Sequence, residues 1–329
     1  MGSPADALGG REPAPRARDD ALAAREHALT GRENGLTGRE NGLTAREYAL
    51  TAEVLARFDA TPSPRLRELM QGLVSHLHAF AREVRLTEEE WSAAIDFLTR
   101  TGQISDERRQ EFILLSDVLG LSMLTIGIGA PRDPAATEPT VFGPFFVRDA
   151  PFVEYGGDVA QGAPGDPCWV EGVVTDTAGT PIPHAEIEVW EADEDGRYDV
   201  QYDDGRTAGR ARLRAREDGR YAFWSVKPAP YPIPHDGPVG ELLTATRRSP
   251  MRPAHIHFMV AAPGYHTLVT HVFDGASAHL DDDAVFGVRR SLVREFERRE
   301  PDPGRTGPGG RPLTEPWWRL RFDVALARA

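Results

Sequence analysis

Past Pro131 the chain changes its period, and that change constrains the fold more than any other feature of the sequence. Residues 52–130 carry apolar positions at helical spacing: in LTEEEWSAAIDFLTR, Thr87 and Glu90 have the spacing of a capping box, and Trp91, Ile95 and Leu98 fall on one stripe. A second helix is expected to open at Ser105 and run through FILLSDVLGLSML. From residue 131 on, the runs are short and of strand type: CWVEGVVTD, TAGTPIP, AEIEVWEA, RYAFWSV, HIHFMVAA, TLVTHVF and WWRLRFDVAL. The pentapeptide EDGRY occurs twice, at Glu194–Tyr198 and Glu217–Tyr221, each time placing Asp-Gly where a tight turn wants positive φ. The spacing predicts an α+β chain, with a helical segment over 52–130 and an antiparallel β-sandwich of mixed topology over 131–329. Residues 301–312, filled by Pro and Gly, read as a surface loop before a last strand in which Trp318, Leu320, Phe322 and Val324 alternate inward.

Ahead of these, residues 17–51 repeat every seven positions, with Leu22, Leu29, Leu36, Leu43 and Leu50 in register. Each unit offers one large apolar residue where a coiled-coil seam wants two. Gly31, Gly35, Gly38 and Gly42 each cost a helix about 1 kcal/mol relative to alanine. Residues 1–51 are therefore read as a low-complexity tail, disordered or marginally helical, with a coiled coil as the alternative. The apolar run from Phe112 to Ala130 contains Asp117 and several glycines, so a buried helix is expected there and no membrane span. With 51 Asp+Glu against 38 Lys+Arg, a formal charge of -13, the surface repels phosphate backbones and anionic headgroups, so no nucleic-acid partner is expected. The single cysteine, Cys168, excludes an internal disulfide and a thiolate metal cluster and fits a reducing compartment. The start MGSPADALGG has neither a basic segment nor a continuous apolar one, and a cytoplasmic protein is the expectation.

Two His-x-His pairs differ in what they can do. On a helix, positions two apart point roughly 200° apart, so His76 and His78 cannot share one ion. On a strand, residues i and i+2 project from the same face, so His255 and His257 in RPAHIHFMV can, although a polar sheet face is the alternative. Acidic residues near the pair sit mostly in turns such as LDDDAVF, where solvated charge is the ordinary explanation. Tyr198, after the first Asp-Gly turn, and Tyr231, in KPAPYPIPHDGP, are notable neighbours, but packing accounts for either on local context. Periodicity does not select Tyr198 over Tyr221, which follows an identical turn. Two rival readings stand here: a zinc or iron hydrolase using the histidines with carboxylates, and a sandwich module that binds carbohydrate or a surface.

The segments TEPTVFGPFF, GRYDVQYDD, APYPIPHDGPVGELL, RPAHIHFMVAAPGY, LVTHVF and LDDDAVFGV resemble the intradiol ring-cleavage dioxygenases, most closely the hydroxyquinol 1,2-dioxygenase branch. The likeness covers about residues 55–298, with the last strand compatible and the heptad repeat outside it. It implies a non-haem Fe(III) held by two tyrosines and two histidines, which match Tyr198, Tyr231, His255 and His257, while Tyr221 and Tyr202 fall outside the pattern. A phenolate is a hard anionic donor suited to Fe(III), and the ion can deprotonate a side chain whose free pKa is about 10. The resemblance also implies that a small aromatic diol or triol reacts with O2 and opens between its two hydroxyl-bearing carbons. Hydroxyquinol is the substrate it suggests, with catechol or a substituted catechol as the alternative.

By the same resemblance Tyr231 and Arg252 are catalytic, the first as the ligand that leaves when the diol binds, the second as the arginine that stabilises charge developing on the ring. The ring pocket matches Leu114, Asp117, Val141, Phe142, Gly143, Pro144, Phe145, Ile233, Pro234, Arg252 and Val285. Asp117, the lone charge in its apolar run, has a helix cap or an arginine partner as alternative explanations. His271 in LVTHVF stands where catechol-cleaving relatives tend to have glutamine, as it does in the hydroxyquinol branch. It is a further candidate beside its reading as a satisfied core histidine. The family dimerises through its helical domain, in some members around a lipid tail. A homodimer through residues 52–130 is therefore expected, and a bound lipid stays open.

Overall fold

The computed structural model describes residues 38–329 apart from Arg108, so most of the heptad repeat lies outside the described residues. The described residues divide into two compact units, one ending at residue 96 and the other spanning 97–329.

In the first unit, α1 (Gly38–Ala56) runs through the last two copies of the repeat and across residue 51, and α2 (Pro64–Val84) follows. Ser63 caps α2 by accepting the Leu66 N–H at 3.2 Å, and Pro64 occupies the first turn, where its missing N–H costs nothing. Thr51 ties the two helices together: its hydroxyl accepts from Arg82 at 2.7 Å and lies 3.0 Å from His78 Nδ1. Arg85 adds bonds to both Glu47 oxygens at 2.9 and 3.0 Å. His78 is thus a packing partner between helices, while His76 is exposed. The capping box read from the sequence opens α3 (Glu88–Ile104), with Glu90 N–H on Thr87 Oγ1 at 3.2 Å and Thr87 N–H on Glu90 Oε2 at 2.9 Å.

The second helix expected from Ser105 starts later and is broken. Ser105 and Asp106 lie outside any helix, Asp106 Oδ1 accepts the Arg109 N–H at 2.7 Å, and the helix opens only at α4 (Glu111–Val118). It stops before Gly120, a poor helix former, and resumes as α5 (Leu121–Gly129) after a bend of 79°. The expectation that this run is buried is also corrected. Leu114, Asp117, Val118 and Met123 are buried, but Phe112, Ile113, Leu119, Leu121, Leu124 and Ile128 are exposed, because two short helices offer the core one narrow side each. Among the described residues no single helix is long and apolar enough to cross a membrane.

The strands of the second unit are β1 (Pro167–Asp176), β2 (Glu186–Glu191), β3 (Arg210–Arg214), β4 (Arg220–Val226), β5 (Tyr231–Pro232), β6 (Met251–Arg252), β7 (His255–Ala261), β8 (Leu268–Asp274), β9 (Val293–Arg294), β10 (Glu297–Arg299), β11 (Asp302–Thr306), β12 (Pro312–Leu313), β13 (Trp317–Arg321) and β14 (Val324–Leu326); helix α6 (Pro238–Ala245) lies between β5 and β6. One sheet runs β10-β13-β1-β14 with β4 also on β1, the other β3-β2-β7-β8-β9. The pairing is mixed, since β1 is parallel to β13 and β14 but antiparallel to β4. Val170, Val174, Phe223 and Leu320 of the first sheet meet Ile187, Val189, Ile256, Phe258 and Val260 of the second in one buried cluster, the core of a sandwich.

Three details depart from the sequence reading. TAGTPIP is a turn, since Pro181 and Pro183 leave it two N–H donors short of a ladder. Residues 301–312 include the strand β11, which pairs with β12. In the last strand Trp317 is buried and Trp318 only half-buried, and the strand ends at Arg321 before β14. The two EDGRY turns also part ways. Tyr221 enters β4 and is fully buried, its ring 5.9 Å from Phe258, its hydroxyl donating to the Phe322 carbonyl. Tyr221→Phe should leave that carbonyl unpaired and cost about 1 kcal/mol, roughly 2–4 °C in Tm. Calorimetry checks the shift, and catalytic activity should be unchanged.

Candidate active site

On β7 the alternation is complete. Ile256, Phe258 and Val260 fill the sandwich core, so His255 and His257 project from the opposite face, and both are 1% exposed. The Pro253 carbonyl accepts from His255 Nδ1 at 2.7 Å, which leaves Nε2 as the lone-pair nitrogen. That atom lies 3.2 Å from His257 Nε2. His257 Nε2 is 3.0 Å from the Tyr198 hydroxyl, which is 3.2 Å from the Tyr231 hydroxyl. Two phenols and two imidazoles therefore converge in a space closed to solvent.

Each tyrosine is delivered by a different device. Tyr198 leaves the Asp193–Arg197 turn, where Asp193 Oδ1 accepts the N–H groups of Asp195 and Arg197, both at 2.9 Å. A Cβ on Gly196, which has φ +76°, would stand 2.8 Å from the Tyr231 Cβ, so the glycine serves both the turn and the close approach of the two tyrosines. Tyr231 sits on β5, hemmed by Pro228, Pro230, Pro232 and Pro234, and its partner in register on β6 is Arg252. Gly143 makes a second close approach: at φ +78° its Cβ would reach 2.8 Å from His257 Cε1.

Around this centre, the ring of Trp190 stacks on His257 with centroids 4.6 Å apart and planes at 15°, and Phe145 stacks on Tyr198 at 4.5 Å and 26°. His271 faces His257 across the β7–β8 ladder, ring centroids 4.2 Å apart, and its Nδ1 bonds to Thr140 Oγ1. With His255 and His257 it makes a group whose ligand atoms lie within 4.8 Å of one another. Two nitrogens there, His257 Nδ1 and His271 Nε2, are buried without a hydrogen-bond partner among the described residues.

Arg252 is 2% exposed; its Nε donates to Asp283 Oδ1 at 3.1 Å and its Nη1 lies 3.2 Å from His255 Nε2. Burial opposes its charge, but the Asp283 carboxylate holds its pKa above the ordinary value. Its Nη2 has no partner among the described residues. Asp117 is buried, and burial raises its pKa against the opposing effects of Ser122 and the Arg252 charge. Burial pushes the Tyr198 phenol well above its usual value, with Tyr231 adding to the shift.

Of the residues expected at the pocket, Leu114, Val141, Ile233 and Val285 share one buried cluster. Phe145 packs with Tyr198, Tyr231 and Trp190 in another, and Phe142 lies 5.6 Å from the Trp190 ring at its half-open edge. Pro144 and Pro234 belong to neither cluster. A cleft of about 760 Å³, bounded by Thr137, Glu138, Arg289 and Arg294, is lined by none of these expected pocket residues, so donor geometry, not open volume, locates the site. The sequence reading missed Trp190, Thr140, the Asp199–Arg210 pair and Asp283. Asp283 was read with LDDDAVF as solvated charge, yet its side chain is 3% exposed because it faces Arg252. Its place directly before the apolar pair Ala284 and Val285 was the only local hint.

The donor set fits a hard, highly charged ion: two phenol oxygens, two neutral imidazole nitrogens and no thiolate. Residues 141–326 match a family model described as dioxygenase, and residues 63–137 one described as catechol dioxygenase N terminus. The hydroxyquinol 1,2-dioxygenase of Nocardioides simplex is 62% identical over 84% of this chain and 94% of its own length; that of Rhodococcus opacus is 61% identical over 83% and 91%. The crystal structure of hydroxyquinol 1,2-dioxygenase from Pseudomonas putida DLL-E4 aligns with a TM-score of 0.80 and 43% identity, over 87% of this chain and 100% of that one.

Burial pushes His255, His257 and His271 well below the ordinary imidazole value, with Arg252 and the neighbouring imidazoles adding to it. Below about pH 6.5 the unfolded chain binds more protons than the folded one, so stability is present above that pH and is lost as pH falls through it. Burial pushes the Glu191 carboxyl up to about 8, which favours the fold at lower pH and offsets part of this effect. Thermal melts of the metal-free protein should still show a Tm that falls below about pH 6.5, where three histidines outweigh one carboxyl, with a shallower fall in His271→Gln. A Tm that stays level from about pH 6.5 to 5 would contradict neutral burial.

Proposed function

The chain belongs to the intradiol ring-cleavage dioxygenases, and on that premise we propose that it opens hydroxyquinol with O2 between its two adjacent hydroxyl-bearing carbons, giving 3-hydroxy-cis,cis-muconate, the enol form of maleylacetate. The observation that carries the reading is the convergence of Tyr198, Tyr231, His255 and His257. These four residues would hold the iron, as Fe(III), on which the family depends. When bound, iron supplies Lewis acidity and a one-electron partner, so that an electron-rich diol can react with dioxygen without an external reductant.

The protein's own groups manage charge and protons. Tyr198 stays a neutral phenol in its buried setting until a cation stands beside it, so its ionisation and metal loading are one event. A diol that binds as a dianion sheds two protons; Tyr231 Oη, a tyrosinate in the iron-loaded site, would accept one and a solvent hydroxide the other. Arg252, anchored through Nε to Asp283, keeps Nη2 free to donate to oxygen of the ring as negative charge develops. Leu114, Val141, Ile233 and Val285 exclude water from the ring. Asp117 is assigned to the third hydroxyl, the polar group that such an apolar wall could not otherwise satisfy.

For the rest of the chain, the exposed Leu73, Leu77 and Phe80 of α2 support a homodimer formed through residues 52–130, with lipid as a second candidate for that face. The lone, buried Cys168 suits a cytoplasmic setting.

Purified protein should contain one iron per chain and absorb visible light by tyrosinate charge transfer. Tyr198→Phe and His257→Ala should lose both colour and turnover, and Tyr221→Phe should keep both. A colourless zinc form with undiminished activity would contradict the ligand assignment. Hydroxyquinol should be cleaved with higher kcat/KM than catechol by about tenfold to a hundredfold, the worth of a charge-assisted hydrogen bond. Asp117→Ala should shrink that ratio. Oxygen uptake with both substrates decides: a wild type that prefers catechol refutes the substrate, and an unchanged ratio in the variant refutes the role of Asp117.

A further inference from the structure

Arg210 opens β3, and in the register of the sheet it begins a row that continues through Trp190 on β2, His257 on β7 and His271 on β8. Its guanidinium is buried and makes a three-way junction. Nε donates to Asp199 Oδ2 at 2.6 Å, and Nη2 donates to Asp199 Oδ1 and, at 3.0 Å, to the Phe145 carbonyl. Side-chain exposure is 4% for Arg210 and 6% for Asp199. Asp199 directly follows Tyr198, and the Phe145 ring lies flat against the Tyr198 ring. One guanidinium therefore joins the segment that carries the Tyr198 phenol to the segment that packs it.

We propose that Arg210 is a positioning residue of the site, which fixes the Phe145 wall against the Tyr198 phenol and thereby sets affinity for the aromatic ring. The inference rests on the ring-cleavage reading of Tyr198. Net stability alone does not call for such a pair, because a buried ion pair can be replaced by apolar residues at little or no cost. What a guanidinium offers uniquely is the planar fork that meets a carboxylate with two nitrogens while a remaining N–H reaches a third group.

Arg210→Lys keeps the charge and loses the fork, so it is the direct test. The holoenzyme of this variant should retain its iron and a kcat within about twofold, while KM, and Kd for hydroxyquinol titrated without oxygen, rise about tenfold. Its visible band should shift as the Tyr198 ring turns, a change that a purely structural role would not produce. Asp199→Asn keeps the Phe145 bond and weakens only the other arm, so it should show a smaller rise in the same direction. Arg212→Lys, on the next outward position of β3 and bonded to the Ala150 carbonyl at 2.8 Å, should change nothing. Unchanged Kd and spectrum in both site variants overturn the assignment, and so does loss of iron and fold in both. A wild type that fails to consume hydroxyquinol would instead overturn the ring-cleavage reading.

Discussion

Strand β7 is buried on both faces, and its register is the constraint on which the rest of the site depends. Ile256, Phe258 and Val260 point into hydrocarbon between the sheets, and His255, His257 and the half-buried Met259 point the other way. A slip of one residue would exchange the two sets, placing two imidazoles among Val189, Phe223 and Phe322 at about 1–3 kcal/mol for each polar group left unpaired. The apolar face thus fixes the polar one. Once β7 is set, its ladders to β2 and β8 put Trp190 and His271 on either side of His257 without further choice.

That logic explains why the histidines were legible and the tyrosines were not. Period-two alternation is a local property, so the His255/His257 pair could be placed on one face from the sequence alone. Tyr198 and Tyr221 share an identical upstream turn, and what separates them is non-local. Tyr221 pairs into β4 opposite Gly172 of β1, whereas Asp199 draws the chain after Tyr198 toward Arg210, eleven residues ahead. The family resemblance named Tyr198 and Tyr231, but it carried no trace of the Arg210 junction. Asp283 illustrates the same limit from the other side: a run of three aspartates looks solvated until the arginine that covers the third is known.

The helices show where periodicity itself fell short. The capping box at Thr87 was readable because both of its partners lie within one turn. The apolar run after Phe112 was taken as a single buried element because hydropathy does not record a bend. Gly120 divides it, and the short α4 carries Glu111, Leu114, Asp117 and Val118 on its buried side, so two carboxyls and an apolar surface come from eight residues of helix.

Trp190 has one more consequence. Its indole lies parallel to His257 at van der Waals separation, closer to the proposed metal position than any other tryptophan contact described. Light absorbed by that indole has an efficient route into whatever coloured ion occupies the site, so its fluorescence is coupled to occupancy. The remaining aromatic cluster of Trp169, Trp224 and Trp317, gathered around Arg305 on the other sheet, has no ring contact with the site histidines. Of the six tryptophans, then, one sits at the centre and a cluster of three is remote from it, so the part of the emission that responds to metal loading comes from Trp190.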